Sequence, residues 1–283
     1  MNTIAVGSTL EDVLRHAALP PLEIRLLLGH ALHLTRVQMI TQSQRVLNEE
    51  EAGIISQLIA RRHAGEPIAY LIGEREFYGL PFSVNPAVLI PRPETELLVE
   101  CALERLPPQG SVLDMGTGSG AIAVAIAHTR TDARVQALDV SAKALATAQG
   151  NAARNGVRIQ FLQSDWFTAL DSAAGTQAFD LIVSNPPYIV DGDVHLQQGD
   201  LRFEPIDALT DHADGLSALR ILCSQASPYL QTNGWLLMEH GYDQAKAVRT
   251  LLQENGFTDV QSWRDLAGIE RVSGGRWTAA SQT

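Results

Sequence analysis

The chain has 283 residues, 45% hydrophobic and 19% charged, a balance that excludes a disordered or fibrous protein and suffices for one large or two modest cores. Thirty-two Asp and Glu against 21 Lys and Arg give a formal charge of -11, which weighs against sequence-independent nucleic-acid binding. Two cysteines, no bilayer-length apolar run and no basic-then-apolar leader predict a cytoplasmic protein without membrane association or a disulfide framework.

Residues 1 to 75 carry a helical period. Ser8 with Glu11 reads as a capping box ahead of Leu10, Val13, Leu14 and Ala17. Pro20-Pro21 opens a second helix with Leu22, Leu26, Leu27 and Ala31 on one face. Asn48 with Glu51 predicts another cap, for a helix through Ile54, Ile55, Leu58 and Ile59. Gly65 suits the position just past its end, and Pro67 stops it. Residues 76 to 95 read as a β-hairpin and a connector stiffened by Pro86, Pro91 and Pro93.

From residue 96 onward strands and helices alternate. Strands are expected at 111–115, 134–139, 159–162, 179–184 and 235–239, and again around Val260 and over 271–277. Helices are expected at 121–127, 141–154 and 215–229. That order predicts an α/β fold with a doubly wound, mostly parallel sheet behind a small N-terminal helical domain. Residues 1–75, 76–95 and 96–283 are thus expected to be helical domain, hairpin linker and sheet domain. Residues 1–7 and 279–283 fit no part of the pattern and are expected to be loose ends.

The first strand of the sheet domain runs into Asp114-Met-Gly-Thr-Gly-Ser-Gly120. Gly116, Gly118 and Gly120 permit a tight turn and close approach to a ligand, with Thr117 and Ser119 between them and a helix N-terminus after. The spacing differs from the GxGxxG of dinucleotide sites and is weak by itself. Asp139, nineteen residues past Gly120, ends the next strand, where a carboxylate can accept from two ribose hydroxyls. Asp165 ends the third, placed to accept from an adenine amino group, with Trp166 as a ring wall. Either acid alone is more often a solvated loop residue. Together they outline an adenosine site, and a single nucleoside with an amino-acid tail fits S-adenosylmethionine better than NAD.

The strongest local signal is Asn185-Pro186-Pro187-Tyr188, directly after a buried strand. Consecutive prolines hold the backbone rigidly. The Asn185 side-chain oxygen and the Pro186 carbonyl then make two acceptors suited to the two protons of a planar –NH₂ group. Tyr188 can pack against that group. The bland alternative is a strand-end turn with a buried Asn; the sharper reading is an amine or amide methyltransferase. Asn185 is too weak a base to take a proton outright, so its expected role is positioning and polarisation.

At these residues the chain resembles the release-factor glutamine N5-methyltransferases, the HemK/PrmC family, along nearly its whole length. Gly65-Glu-Pro-Ile-Ala-Tyr-Leu, Arg75-Glu-Phe-Tyr, Leu89-Ile-Pro-Arg-Pro-Glu-Thr-Glu96, Arg202-Phe-Glu-Pro205 and Glu239-His-Gly241 carry the likeness beside the two motifs above. The resemblance implies a five-helix N-terminal domain, a hairpin linker and a class I methyltransferase domain with a Rossmann-like seven-stranded sheet. It implies methylation of the glutamine side-chain amide in the Gly-Gly-Gln loop of class I peptide chain release factors, with the helical domain as docking surface. By motif, Gly116, Thr117, Gly118, Ser119, Gly120 and Asp139 would bind S-adenosylmethionine. Asp165 and Trp166 would frame its adenine, and Asn185, Pro186, Pro187 and Tyr188 would hold the glutamine.

Other features stay bland. His30 and His33 share a helix side but lack a third ligand, so no metal is expected. His240 reads as a strand-end hydrogen-bonding residue. Arg92 and Glu94 either shape the cofactor mouth or form a salt-bridged linker; Arg202 is a substrate guide or a plain surface charge. DNA adenine-N6 and RNA guanine methyltransferases present a similar planar amine problem. Residues 1 to 80, however, carry 7 Lys and Arg against 9 Asp and Glu, and the remainder 14 against 23, so neither part is a basic footprint. No direct nucleic-acid partner is expected, and a monomer needs no special assumption.

Overall fold

Helices α1 (Leu10–His16), α2 (Pro21–Leu32), α3 (Arg36–Thr41), α4 (Glu49–His63) and α5 (Ile68–Ile72) open the computed structural model, which describes residues 4–171 and 178–278. The first helix is capped one residue later than the sequence suggests. Thr9, extended at φ -84°, accepts from the Asp12 N–H at 3.1 Å, and the Thr9 N–H donates to the Asp12 carboxylate at 2.9 Å. Ser8 instead gives its carbonyl to the Leu47 N–H. The Asn48–Glu51 box forms as expected, and Thr35 with Gln38 adds another before α3. Acidic residues open α4 and Arg61, Arg62 and His63 end it, both favourable to the helix dipole. Gly65 follows at φ 96°.

The buried face of α2 differs from the expected one. Ile24, Leu27 and Leu28 are buried, whereas Leu22 and Leu26 are 67% and 42% exposed. The helix is apolar on several sides, so its neighbours decide which side is covered. Ile4 is no loose end: its N–H donates to Ser56 and its side chain packs on the helical core. Residues 1–3 and 279–283 lie outside the described residues.

The chain divides into two compact units, Met1–Glu74 with Gln198–Phe203, and Arg75–Gln197 with Glu204–Thr283. The hairpin and connector of residues 76–95 are thus compact with the sheet, and a short later segment belongs with the helices. In that segment Asp200 pairs with Arg62, which also holds Glu23, and Arg202 donates to the Ala64 carbonyl at the end of α4. Arg202 therefore acts as a helix C-terminal partner within the helical unit.

The second unit begins with the hairpin β1 (Glu74–Phe77) and β2 (Leu80–Ser83), turned by Tyr78 and Gly79, both at positive φ. Then come α6 (Glu96–Arg105), β3 (Ser111–Met115), α7 (Ala121–Thr129), β4 (Arg134–Asp139), α8 (Ala142–Arg154), β5 (Gln160–Gln163), α9 (Thr168–Asp171) and β6 (Phe179–Ser184). The chain finishes with α10 (Ile206–Leu209), α11 (Ser217–Gln225), β7 (Leu230–Glu239), α12 (Ala245–Glu254), β8 (Thr258–Arg264) and β9 (Glu270–Arg276). The seven-stranded sheet has the order β5-β4-β3-β6-β7-β9-β8, parallel except for β9, which runs antiparallel between β7 and β8. Both faces of β3 are buried, and so is α7 from Ala121 to Ala127. Chain order reverses between β3 and β6, so the loops after those strands flank the switch point, where ligands of such sheets bind.

Candidate active site

The two loops at the switch point are locked side by side. Met115 and Ser184 are register partners at the ends of β3 and β6, and the Ser184 hydroxyl donates to the Met115 carbonyl at 2.7 Å. Gly116 therefore begins one loop beside Asn185, which begins the other. Between them opens a cavity of about 290 Å³. Gly116, Thr117, Gly118, Ser119, Asp139, Asp165, Trp166, Asn185, Pro186 and Pro187 line it, so most of the residues singled out in sequence converge. Gly120 and Tyr188 are not in the lining.

Gly116 and Gly118 adopt φ of 72° and 56°, and a Cβ on either would meet no protein atom within 4 Å. They form a bare backbone cradle open to a ligand. Gly120 is different. At φ 82° it begins α7, and a Cβ there would stand 3.0 Å from the Cβ of Ala148. Its lack of a side chain serves helix packing.

Asp139 accepts the Gly118 N–H and the Ser141 N–H, each at 2.8 Å, which fixes the carboxylate at the rim while leaving lone pairs on both oxygens. Burial pushes its pKa up, against those two bonds. Beneath the loop, Asp114 is wholly buried and holds the Thr117 hydroxyl at 2.6 Å; burial pushes its pKa up to about 7. Trp166 sits in the left-handed region at φ 47°, turning its ring toward the cavity wall and the core cluster beside it.

At the opposite wall, the Asn185 side chain is held by one end only. Its Nδ2 donates to Thr95 Oγ1 at 3.2 Å, while its buried Oδ1 has no hydrogen-bond partner among the described residues. Buried acceptors are rarely left unmatched, and one that lines a cavity is ready for a donor from a ligand. Tyr188 lies behind the turn. Its hydroxyl donates to Glu239 Oε1 at 3.3 Å, and its carbonyl accepts from Gln244. Glu239 is itself buried, and burial pushes its pKa up to about 7, against the lowering effect of the neighbouring Thr95 and Tyr188 hydroxyls. His240 is buried between the Gly241 carbonyl and the Ser273 hydroxyl, a hydrogen-bonding role as its sequence position suggests.

Residues given no site role from sequence complete the cavity. Val88, Leu89 and Pro91 form one side and Pro205, Asp207 and Ala208 another. Arg92 lines the cavity and is also ion-paired, to Glu204; Glu94 is exposed and outside the lining. The signal for Thr95 lay in the connector motif, but nothing local ties it to a residue ninety positions on. His33 ends α2 in the left-handed conformation, off the helix face it was expected to share with His30.

Residues 8–73 match the family model described as PrmC N-terminal domain, and residues 93–201 match Methyltransferase small domain. A release factor glutamine methyltransferase of Burkholderia pseudomallei is 53% identical over 98% of this chain and 99% of its own length. Those of Neisseria gonorrhoeae and Vibrio cholerae are 51% and 45% identical, covering 95% and 91% of this chain and 98% and 90% of theirs. The chain belongs to the release factor glutamine methyltransferase family. It is a class I, S-adenosylmethionine-dependent methyltransferase. Solved structures agree on the fold. A Pyrococcus furiosus methyltransferase (19% identity, TM-score 0.53) covers 79% of this chain and 100% of its own. A Thermus thermophilus 16S rRNA methyltransferase solved with AdoMet and guanosine (24%, 0.53) covers 72% and 49%. Among the described residues no helix is long and apolar enough to cross a membrane.

Proposed function

We propose that this protein methylates the side-chain amide nitrogen of the glutamine in the Gly-Gly-Gln motif of class I peptide chain release factors, tuning translation termination. The observation that carries the reading is the half-satisfied Asn185 amide. Its nitrogen is anchored on Thr95, and its oxygen is an unmatched acceptor in the cavity that the glycine loop opens onto. Such an acceptor, paired with the Pro186 carbonyl, suits the two protons of a primary amide.

In this reading Gly116, Thr117, Gly118, Ser119 and Asp139 cradle S-adenosylmethionine, Asp165 and Trp166 frame its adenine, and Asn185 closes the site. The bare backbone at Gly116 and Gly118 and the remaining acceptor capacity of Asp139 fit that group. When bound, it supplies a sulfonium methyl open to in-line attack. Asn185 and Pro186 accept the amide protons, raise electron density on a nitrogen whose lone pair is otherwise delocalised, and aim it. Pro187 stiffens the turn and Tyr188 braces it from behind. The amide nitrogen would gain the methyl as the carbon–sulfur bond breaks to leave a neutral thioether, and would release one proton to water. Orientation alone can lower the barrier by up to ~7–11 kcal/mol.

The helical unit serves as the docking surface for the release factor, and the protein works in the cytoplasm as a monomer without direct nucleic-acid contact. Purified protein with methyl-labelled cofactor is expected to label an intact class I release factor and to leave duplex DNA unlabelled. Labelling of DNA but not of the release factor would overturn the proposal.

A further inference from the structure

Consecutive prolines give the Asn-Pro-Pro-Tyr turn its shape but no means of attachment. Neither Pro186 nor Pro187 has an N–H to donate, so where the turn sits depends on the residues at its two ends. The entry is fastened by Ser184, whose hydroxyl donates to the Met115 carbonyl at 2.7 Å. The exit is fastened by Gln244, the residue that precedes α12.

Three backbone groups from three loops meet the Gln244 side-chain amide. Its Oε1 accepts the Gly241 N–H at 2.8 Å, and its Nε2 donates to the Tyr188 carbonyl at 3.0 Å and to the Gly215 carbonyl at 3.1 Å. A backbone N–H only donates and a carbonyl only accepts, so the amide has one way round, and both of its protons are spent. Gly215, at φ 77°, is shaped to the same fit: a Cβ there would stand 2.6 Å from the Tyr188 oxygen and 2.9 Å from Gln244 Nε2. Gln244 itself is outside the cavity lining. Between the Tyr188 and Pro186 carbonyls stands Pro187, whose ring locks φ, so a displacement at one is passed on to the other.

We propose that Gln244 is a positioning residue for methyl transfer. By holding the Tyr188 carbonyl, it sets where the Pro186 carbonyl and Asn185 Oδ1 meet the two protons of the substrate amide. The inference rests on the role proposed above for that turn and adds what fixes the turn in place.

Gln244→Glu keeps the side-chain shape, loses both N–H donors and turns a carboxylate oxygen toward two carbonyls. With labelled cofactor and a purified class I release factor, it is expected to lower kcat by ~10–100-fold, the cost of about an ångström of misplacement. KM for the release factor and cofactor Kd from calorimetry should stay within about threefold, whereas a general loosening of the fold would raise both. Gly215→Ala crowds the same carbonyl while leaving Gln244 in place, and should give the same signature. Gln244→Met replaces Gln244→Glu if the latter does not fold. An unchanged kcat, or a loss confined to KM or cofactor Kd, would overturn the proposal. Should wild type leave the release factor unlabelled, the substrate reading fails, and the hold on the turn is decided in the intact protein alone. Tyr188-Ile189 is the one Tyr-Ile pair in the sequence, so selective labelling isolates the Tyr188 carbonyl resonance. It shifts in both Gln244→Glu and Gln244→Met if Gln244 holds that carbonyl, and a resonance unmoved in both refutes it.

Discussion

Arg92 and Glu204, 112 residues apart in sequence, form an ion pair in which the Glu204 side chain is fully buried and that of Arg92 is 30% exposed. The second Glu204 oxygen accepts the Ile90 N–H at 3.0 Å. One carboxylate thereby joins the connector that forms one cavity wall to the Pro205–Ala208 segment that forms another. Glu204→Ala is expected to destabilise the protein by about 3 kcal/mol, the low end for a broken buried pair because Arg92 keeps some solvent. It should also weaken cofactor binding. Urea unfolding and calorimetric titration check the two effects.

Asn185→Ala is expected to retain cofactor binding and lose methyl transfer by roughly 10²–10³, because its polar contact strengthens in the transition state. Single-turnover rates with saturating cofactor provide the measurement. Unchanged turnover would remove Asn185 from the mechanism.

The glycines of the loop separate by role. Gly118→Ala places a methyl in the open cavity at φ 56°, so it should weaken cofactor binding with a stability loss of only ~1–2 kcal/mol from backbone strain. Gly120→Ala adds a collision with Ala148 to similar strain. Its stability loss should be larger, about 2–3 kcal/mol. Parallel melting and binding curves distinguish them; the reverse ranking would refute the assignment.

Stability should fall as pH rises from about 4 to neutrality and level off above it. Burial lifts the carboxyls of Asp114 and Glu239 from ordinary values of 3.8 and 4.5 to about 7. The folded state therefore holds protons that the unfolded state has already released between about pH 4 and 7. Their contribution is fully present below that window and lost as pH rises through the folded-state values, on the order of 3 to 4 kcal/mol each. Glu239→Gln should flatten its share of the slope of unfolding free energy between pH 5 and 8.

The sequence made local features legible where a few adjacent residues settle the matter. Asn48 and Glu51 satisfy each other's backbone, and the glycine loop and the Asn-Pro-Pro-Tyr turn follow strands whose apolar runs are unmistakable. It was silent where partners are distant. Ser8 with Glu11 is the cap legible on paper, but the Glu11 N–H that Ser8 would take goes instead to the distant Ser43 carbonyl. Leu22 and Leu26 look as buriable as Ile24 and Leu28 until the neighbouring helices choose a side. The Thr95–Asn185 and Arg92–Glu204 contacts join segments that share no periodicity or motif.

The position of β9 bears on how the molecule is made. Residues 270–276 fill the slot between β7 and β8, hydrogen-bonded to both. During vectorial synthesis β7 keeps an open edge, and β8 waits without its neighbour, until residue 276 has cleared the ribosome exit tunnel. The Glu239 end of β7, which braces the amide-holding turn, is paired with Val272 of this late strand. Nascent chains stalled short of residue 270 are expected to have made both ligand loops and yet to lack the support that holds one of them in register.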